Sequence, residues 1–456
     1  MHGGDGLALL SLSELAHRIR HRKVSPVELT QTYLDRIALL DGQLHSFNCV
    51  MAERALHEAR QAEDDIIAGR WRCALHGIPI AAKDIIDVEG VPTTAQSAVR
   101  QHHVAASDAA VVSQLRRAGA IILGKTATAE YAIGGTQFDL PWPAARNPWN
   151  LEKDPANSSC GSAIAVAAGL CAGALGSDTG GSIRAPAAWC GVAGLKPTHG
   201  LLSTAGVVPY SNTLDHVGPM AWTVADCAAI LHAMVPTSVA PWQHGAVPSI
   251  AGVTIGVARH YYEDDDLVDD CVRAAMECSL AALVAMGARL VDIVLPPYET
   301  FTATATLISR PEGYAAHRQE LTSSPELFGA ATLSRLMAGR DIRAYEYINA
   351  QRSRVLLRAE LDMVLERVDV IALPTSKRPA QQLGFNTLAG VELFFSRAFN
   401  LTGHPALAVC NGFSADGLPL SLQIGGRHHQ DDLVMRVGHA LECSLDLRGR
   451  RPAIAA

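Results

Sequence analysis

The chain has 456 residues, 48% of them hydrophobic and 18% charged, with a net charge of −7. That balance fits a globular protein with a large core, built as one large α/β domain or two to three average ones. It carries no basic field and no basic run interleaved with aromatics, so nucleic acid is not an expected partner.

Met1–Ser11 lack a basic segment leading into a long apolar one, so no secretory leader is expected. Ser25-Pro26-Val27-Glu28 is a helix start, with a Ser cap, Pro in the first turn and Glu three residues on. It predicts a helix to about Leu40, and a second helix covers about 51–68. The pattern then alternates: a strand at 78–82, a helix at 108–118, a strand at 120–123, a small-residue helix at 158–169 and a strand at 172–175. The apolar stretch 163–176 is too short and too rich in Gly and Ala to span a bilayer, so no membrane partner and a cytoplasmic location are expected. Further on, strands are expected at 253–258 and 289–294, around a helix at 267–286 that the acidic run Glu263–Asp266 would lead in. A mostly helical segment follows at about 298–366. Strands at 369–373, 406–410 and 418–424 and a helix near 431–442 complete the chain. Strands separated by helices predict an α/β fold, a large twisted mixed β-sheet covered by helices on both faces. No repeat divides the chain, so 1–456 reads as a single domain, with the Pro-containing stretch 237–249 as a surface connection.

Chemistry concentrates in one turn, Gly176-Ser177-Asp178-Thr179-Gly180-Gly181-Ser182-Ile183-Arg184. Its successive backbone N–H groups, with two glycines permitting close approach, could stabilise an oxyanion; a plain glycine turn at a strand end is the alternative. It is no GxSxG elbow, because Arg184 occupies the final glycine position, and no nucleotide-binding loop. A serine is a poor nucleophile until a base removes its proton. Lys83 follows a short apolar run, Gly77–Ala82, that reads as a buried strand, and Ser158-Ser159 open the small-residue helix. A buried lysine is held neutral and can draw a proton through Ser158 from Ser182. Taken singly, the same residues read as a helix N-cap and as a surface lysine paired with Asp84. Asp178 and Arg184 read as an ion pair that supports the loop.

Ten scattered cysteines with no CxxC pair fit reduced thiols serving as small apolar fillers, Cys160 and Cys190 among them. His102-His103 and His428-His429 are adjacent pairs that cannot share a helix face, so no metal is expected.

The segments Ser158–Ala163, Gly176–Pro186 and Cys190–Thr198 together resemble the amidase signature family. The likeness continues through Gly77–Asp84, Gly124–Thr126, Asn147–Asn150, Asp215–Met220, Asn400–Ala406 and Gly417–Leu420, essentially the whole chain. It implies the amidase signature fold, with Ser182 as nucleophile, Ser158 as a bridging serine preceded by a cis peptide bond, and Lys83 as base. It further implies an oxyanion hole from the N–H groups of Thr179, Gly180, Gly181 and Ser182, supported by Ser159, Asp178 and Arg184. Ala132, Ile133 and Gly134 should line the acyl side of the pocket, with Tyr210 and the helical region 299–367 shaping the entrance. Ordinary core packing is the rival role for Ile133. No cofactor is implied, and a homodimer is compatible with the family. One departure stands out: the family places Gly-Gly on each side of the serine pair, where this chain has Ala156-Asn157 and Cys160-Gly161. Asn157 is expected to take the unusual backbone conformation there, since Asn visits left-handed space more readily than most residues.

The activity so implied is an amidohydrolase working through a serine acyl-enzyme. Its substrate would be a small to medium, partly apolar or aryl amide, or a carbamate. The family also contains the ammonia-releasing component (the A-type polypeptide) of tRNA-dependent amidotransferases, which acts on glutamine or asparagine and serves a partner protein. A non-catalytic family member is the third reading.

Overall fold

A computed structural model describes residues 5–235, 247–385 and 393–455. Eleven strands among them form one mixed sheet: β1 (Phe47–Val50), β2 (Pro79–Lys83), β3 (Ile121–Thr126), β4 (Gly173–Ser177), β5 (Ala193–Lys196), β6 (Val217–Ala221), β7 (Thr254–Val257), β8 (Arg289–Asp292), β9 (Val370–Pro374), β10 (Ala406–Phe413) and β11 (Pro419–Gly426). Their order across the sheet is β1-β3-β2-β4-β6-β5-β10-β11-β9-β7-β8. β2 runs parallel to both β3 and β4, and β7 parallel to both β8 and β9, while the remaining pairs are antiparallel.

Successive side chains of a strand point to opposite faces, so a strand buried at every position must be covered on both. β2, β3, β4, β5, β6, β9 and β11 are buried throughout, and exposure appears at the two margins, β1 and β8. The expected sheet with helices on both faces is what folds.

Local signals account for much of the helical part. The Ser25 side chain accepts from the N–H groups of Val27 and Glu28, and the Glu28 side chain returns the bond, completing the capping box of a helix that runs over Pro26–Leu44. The segment expected to be mostly helical contains Tyr298–Ser323, Ala330–Met337 and Ala344–Arg367. No helix among the described residues is long and apolar enough to cross a membrane.

Several expectations need correction. β5 and β6 carry no strand signal in the sequence, because Gly194, Gly218 and Pro219 weaken a strand pattern. Pro219 is tolerated because β5 pairs with β6 only at Ala221 and Met220, beyond the proline. Gly218 is required, since a Cβ there would lie 2.1 Å from the Leu195 carbonyl oxygen. The helix expected from 267 begins at Asp270. The Asp265 carboxylate accepts from Leu267 N–H at 2.8 Å and pairs with Lys377 at 2.5 Å, which holds the acidic run as turns. The connection expected at 237–249 falls largely in 236–246, outside the described residues.

Candidate active site

β2 and β4 are parallel neighbours, so Lys83 and Ser177 end their strands at the same edge of the sheet. Lys83 is therefore the last residue of β2, within the sheet, and it is fully buried. Its Nζ lies 2.6 Å from Ser158 Oγ, 2.9 Å from Ser177 Oγ and 3.1 Å from Ser159 Oγ. It is not paired with Asp84, whose carboxylate meets Lys125 at 3.0 Å instead.

Burial lowers the Lys83 pKa from 10.5 to about 7. A neutral amine has two N–H groups and one lone pair, which matches three hydroxyls if one of them donates. Ser159 spends its proton on the Ser177 carbonyl at 3.1 Å, so it can only accept from Lys83. A protonated Lys83 donates to all three hydroxyls, whereas a neutral one needs Ser158 or Ser177 to donate to its lone pair.

Ser158 and Ser159 precede the helix Cys160–Ala167, and the Asn157–Ser158 peptide bond is cis. Ser159 makes no helix-capping bond, so the plain N-cap reading does not hold. The left-handed backbone falls on Ala156 (φ +59°) and not on Asn157, whose side chain instead donates to Thr136 Oγ1 at 3.1 Å. Cys160 fits as a buried thiol that burial pushes up to about 12. Gly161 has no such latitude, because a Cβ there would lie 2.4 Å from Ala127 N and 2.5 Å from Ser46 O. All ten cysteines are free.

Ser182 sits in the turn after β4 and lines a cavity of about 150 Å³. The Ser159 N–H donates to the Ser182 carbonyl at 3.1 Å, which ties the two serine segments together. No hydrogen bond joins the Ser158 and Ser182 hydroxyls, the contact that a relay between them would need. Such contacts commonly tighten only when substrate binds.

Asp178, also fully buried, organises the turn. It accepts from Arg184 Nε at 3.0 Å and Nη2 at 3.1 Å, from Asn400 Nδ2 at 2.8 Å and from the N–H groups of Gly181 at 2.6 Å and Ile183 at 3.2 Å. Burial opposes the charge, but the Arg184 guanidinium overrides it and holds the carboxyl well below the usual range. The expected ion pair is thus present, and its carboxylate also takes one N–H of the turn. Gly181 has its N–H committed to Asp178, leaving Thr179, Gly180 and Ser182 with N–H groups that have no acceptor among the described residues.

Other residues of the site are not assigned by the sequence reading. Arg184 also donates to Gln423 Oε1 at 3.0 Å and Asn400 Oδ1 at 2.6 Å, and Ser396 donates to the Gly180 carbonyl at 2.8 Å. Asn400 lies inside a recognised motif; Gln423 and Ser396 carry no signal in the sequence. Gly181 (φ +121°) is compulsory, because a Cβ would fall 2.0 Å from Ser396 Oγ.

The cavity is lined by Ala132, Ile133, Gly134 and Tyr210, and additionally by Trp189, Phe394, Arg335 and Arg397. Ile133 is both a cavity wall and a core residue. Tyr131 (φ +52°) and Ala132 (φ +60°) take successive left-handed conformations to form that wall.

One group among the described residues could hold a metal: Asp362, His404 and His428, whose ligand atoms lie within 4.8 Å of one another. Histidine spacing along one helix does not reveal it, because its members come from three distant segments.

The family model for Amidase matches residues 28–435. In Thermosynechococcus vestitus, the A component of glutamyl-tRNA(Gln) amidotransferase is 35% identical over 97% of this chain and 99% of its own length. Among solved structures, an amidase superposes with a TM-score of 0.88 at 30% identity, covering 96% of this chain and 100% of that one. The corresponding glutamyl-tRNA(Gln) amidotransferase component from Thermotoga maritima gives 0.79 at 30% identity, over 96% of this chain and 95% of its own.

Proposed function

The chain belongs to the amidase family and is a hydrolase of amide carbon–nitrogen bonds; on that premise we propose that it cleaves small carboxamides through a Ser182 acyl-enzyme, with Lys83 as base and Ser158 as proton relay. Neutral Lys83 takes the Ser158 proton as Ser158 takes that of Ser182, and Ser182 Oγ attacks the amide carbonyl. The N–H groups of Thr179, Gly180 and Ser182 receive the developing oxyanion. The relay returns the proton to the leaving nitrogen, and water releases the acyl group by the reverse path. The observation that carries this reading is a buried lysine in contact with three serine hydroxyls and with no carboxylate partner among the described residues. The continuous sheet supports treating the chain as one catalytic domain, with the helical segment 299–367 forming one side of the entrance.

A second reading, the ammonia-releasing component of a tRNA-dependent amidotransferase, is favoured by the Thermosynechococcus vestitus relative. The higher TM-score to the amidase, 0.88 against 0.79, favours the first. The test is a panel of amides, carbamates and esters with the purified chain and with Ser182→Ala, together with fluorophosphonate labelling. Hydrolysis by the chain alone, lost in the variant, with label on Ser182, is expected. Activity only in the presence of tRNA plus a partner protein supports the second reading; an unlabelled Ser182 and no hydrolysis would defeat both.

A further inference from the structure

Resting on that reading, we propose that the substrate is a short amide that also carries a carboxylate and no ammonium group, and that Arg397 binds the carboxylate.

Arg397 stands beside the nucleophile turn. Ser396 donates to the Gly180 carbonyl, and a Cβ built on Gly180 would lie 3.6 Å from Arg397 Nε. The Arg397 N–H donates to Tyr298 Oη at 2.9 Å, fixing the backbone. The guanidinium lines the cavity that holds Ser182, yet its bonding is sparse. Nη1 donates to the neutral hydroxyl of Thr306 at 3.2 Å, Nε is buried without an acceptor, and no carboxylate of the described residues pairs with it. A buried guanidinium without a counter-ion is costly. Its planar donor fork matches a carboxylate, which would supply both the missing charge and the missing acceptor.

The remainder of the cavity sharpens the class. Arg335 adds a second guanidinium to the lining. Asp154 is the one carboxylate among the described lining residues, and both its oxygens are engaged, by Thr136 Oγ1 at 2.7 Å and Ala156 N–H at 2.8 Å. Among the described lining residues no carboxylate oxygen is left uncommitted for an ammonium group, whereas two guanidinium groups face the cavity, so an α-amino-acid amide fits less well. A monoamide of a short dicarboxylic acid fits: Ser182 Oγ adds to the acyl carbon, the C–N bond breaks and ammonia leaves with the relayed proton, and water then cleaves the Ser182 ester, releasing the dicarboxylate and returning the serine hydroxyl.

Succinamate and its neutral counterpart succinamide test this directly. Ammonia release gives kcat and KM for wild type, Arg397→Met and Arg397→Lys, and calorimetry on Ser182→Ala reads binding without turnover. Wild type should prefer succinamate by about 30-fold, expressed in KM, the scale of a charge-assisted hydrogen-bond pair. Arg397→Met should cut that preference to within about 3-fold, with Arg397→Lys retaining part of it. Equal affinity for the two amides, binding of neither by Ser182→Ala, or an Arg397→Met that lowers kcat equally on both would overturn the proposal. If Ser182→Ala binds succinamate selectively while wild type releases no ammonia, the anion subsite stands and the hydrolytic reading fails.

Discussion

Asp178 accepts the Gly181 N–H at 2.6 Å while gripping Arg184 through both carboxylate oxygens. One acid therefore anchors the turn and engages the Gly181 N–H, one of the four N–H groups proposed to face an oxyanion. Asp178→Asn should leave Arg184 buried without its counter-ion and cost about 3–5 kcal/mol. Urea denaturation measures this, and the double change with Arg184→Met should cost less than the sum of the single changes. Additive losses would mean the two side chains act independently.

Lys83 should impose its own pH profile on acylation. With an amine pKa of about 7, kcat/KM should rise through neutrality and level off above it. Asp215, pushed up to about 6 by burial, titrates nearby, so the limb should persist in Asp215→Asn. A flat profile from pH 6 to 9 would remove Lys83 as the base. Stability carries a matching sign. Because the folded pKa lies below the free value of 10.5, the unfolded chain binds more protons between about 7 and 10.5. This group's contribution to stability therefore climbs with pH across that window, and the burial penalty is present in full below it. Lys83→Met should abolish turnover and remove that slope.

Ala156→Gly should stabilise the protein by about 1 kcal/mol, since an L side chain at φ +59° is strained and glycine is not. Asn157→Gly, at a position without positive φ, should give no gain. Chemical denaturation of the two variants separates them, and equal effects would show that the strain lies elsewhere.

Gly181→Ala should cost roughly 2 kcal/mol or more and nearly all turnover, because φ +121° and the Ser396 hydroxyl both exclude a methyl group. Adding Ser396→Gly should restore part of the stability by removing the clash and leaving only the backbone strain. No rescue would indicate that the conformation alone decides.

Lys83, Ser158, Ser182 and the Asp178–Arg184 pair are legible because each sits in an unusual local setting: a polar residue on an apolar strand, or glycines packed around a serine. What stays hidden depends on which distant backbone approaches. β5 and β6 contain Gly and Pro at the points where a neighbour's carbonyl comes close or where β6's pairing with β5 stops, as at Gly218 and Pro219. Asp84 is the neighbour that a surface lysine would pair with, but adjacent residues leave a strand in opposite directions, and Asp84 meets Lys125. Asn157 is the residue type that best tolerates a left-handed backbone, whereas the chain turns left-handed one position earlier. The cluster of Asp362, His404 and His428 exists only once a helix and two strand-flanking loops come together.

The proposed base and one of its hydroxyl partners, Lys83 and Ser177, hang from adjacent parallel strands in the interior of the sheet. Their spacing is thus held by inter-strand hydrogen bonds, and fraying at the surface cannot pull them apart. Heat inactivation should accordingly coincide with cooperative loss of the whole sheet, leaving no intermediate temperature at which an intact fold has already lost its base.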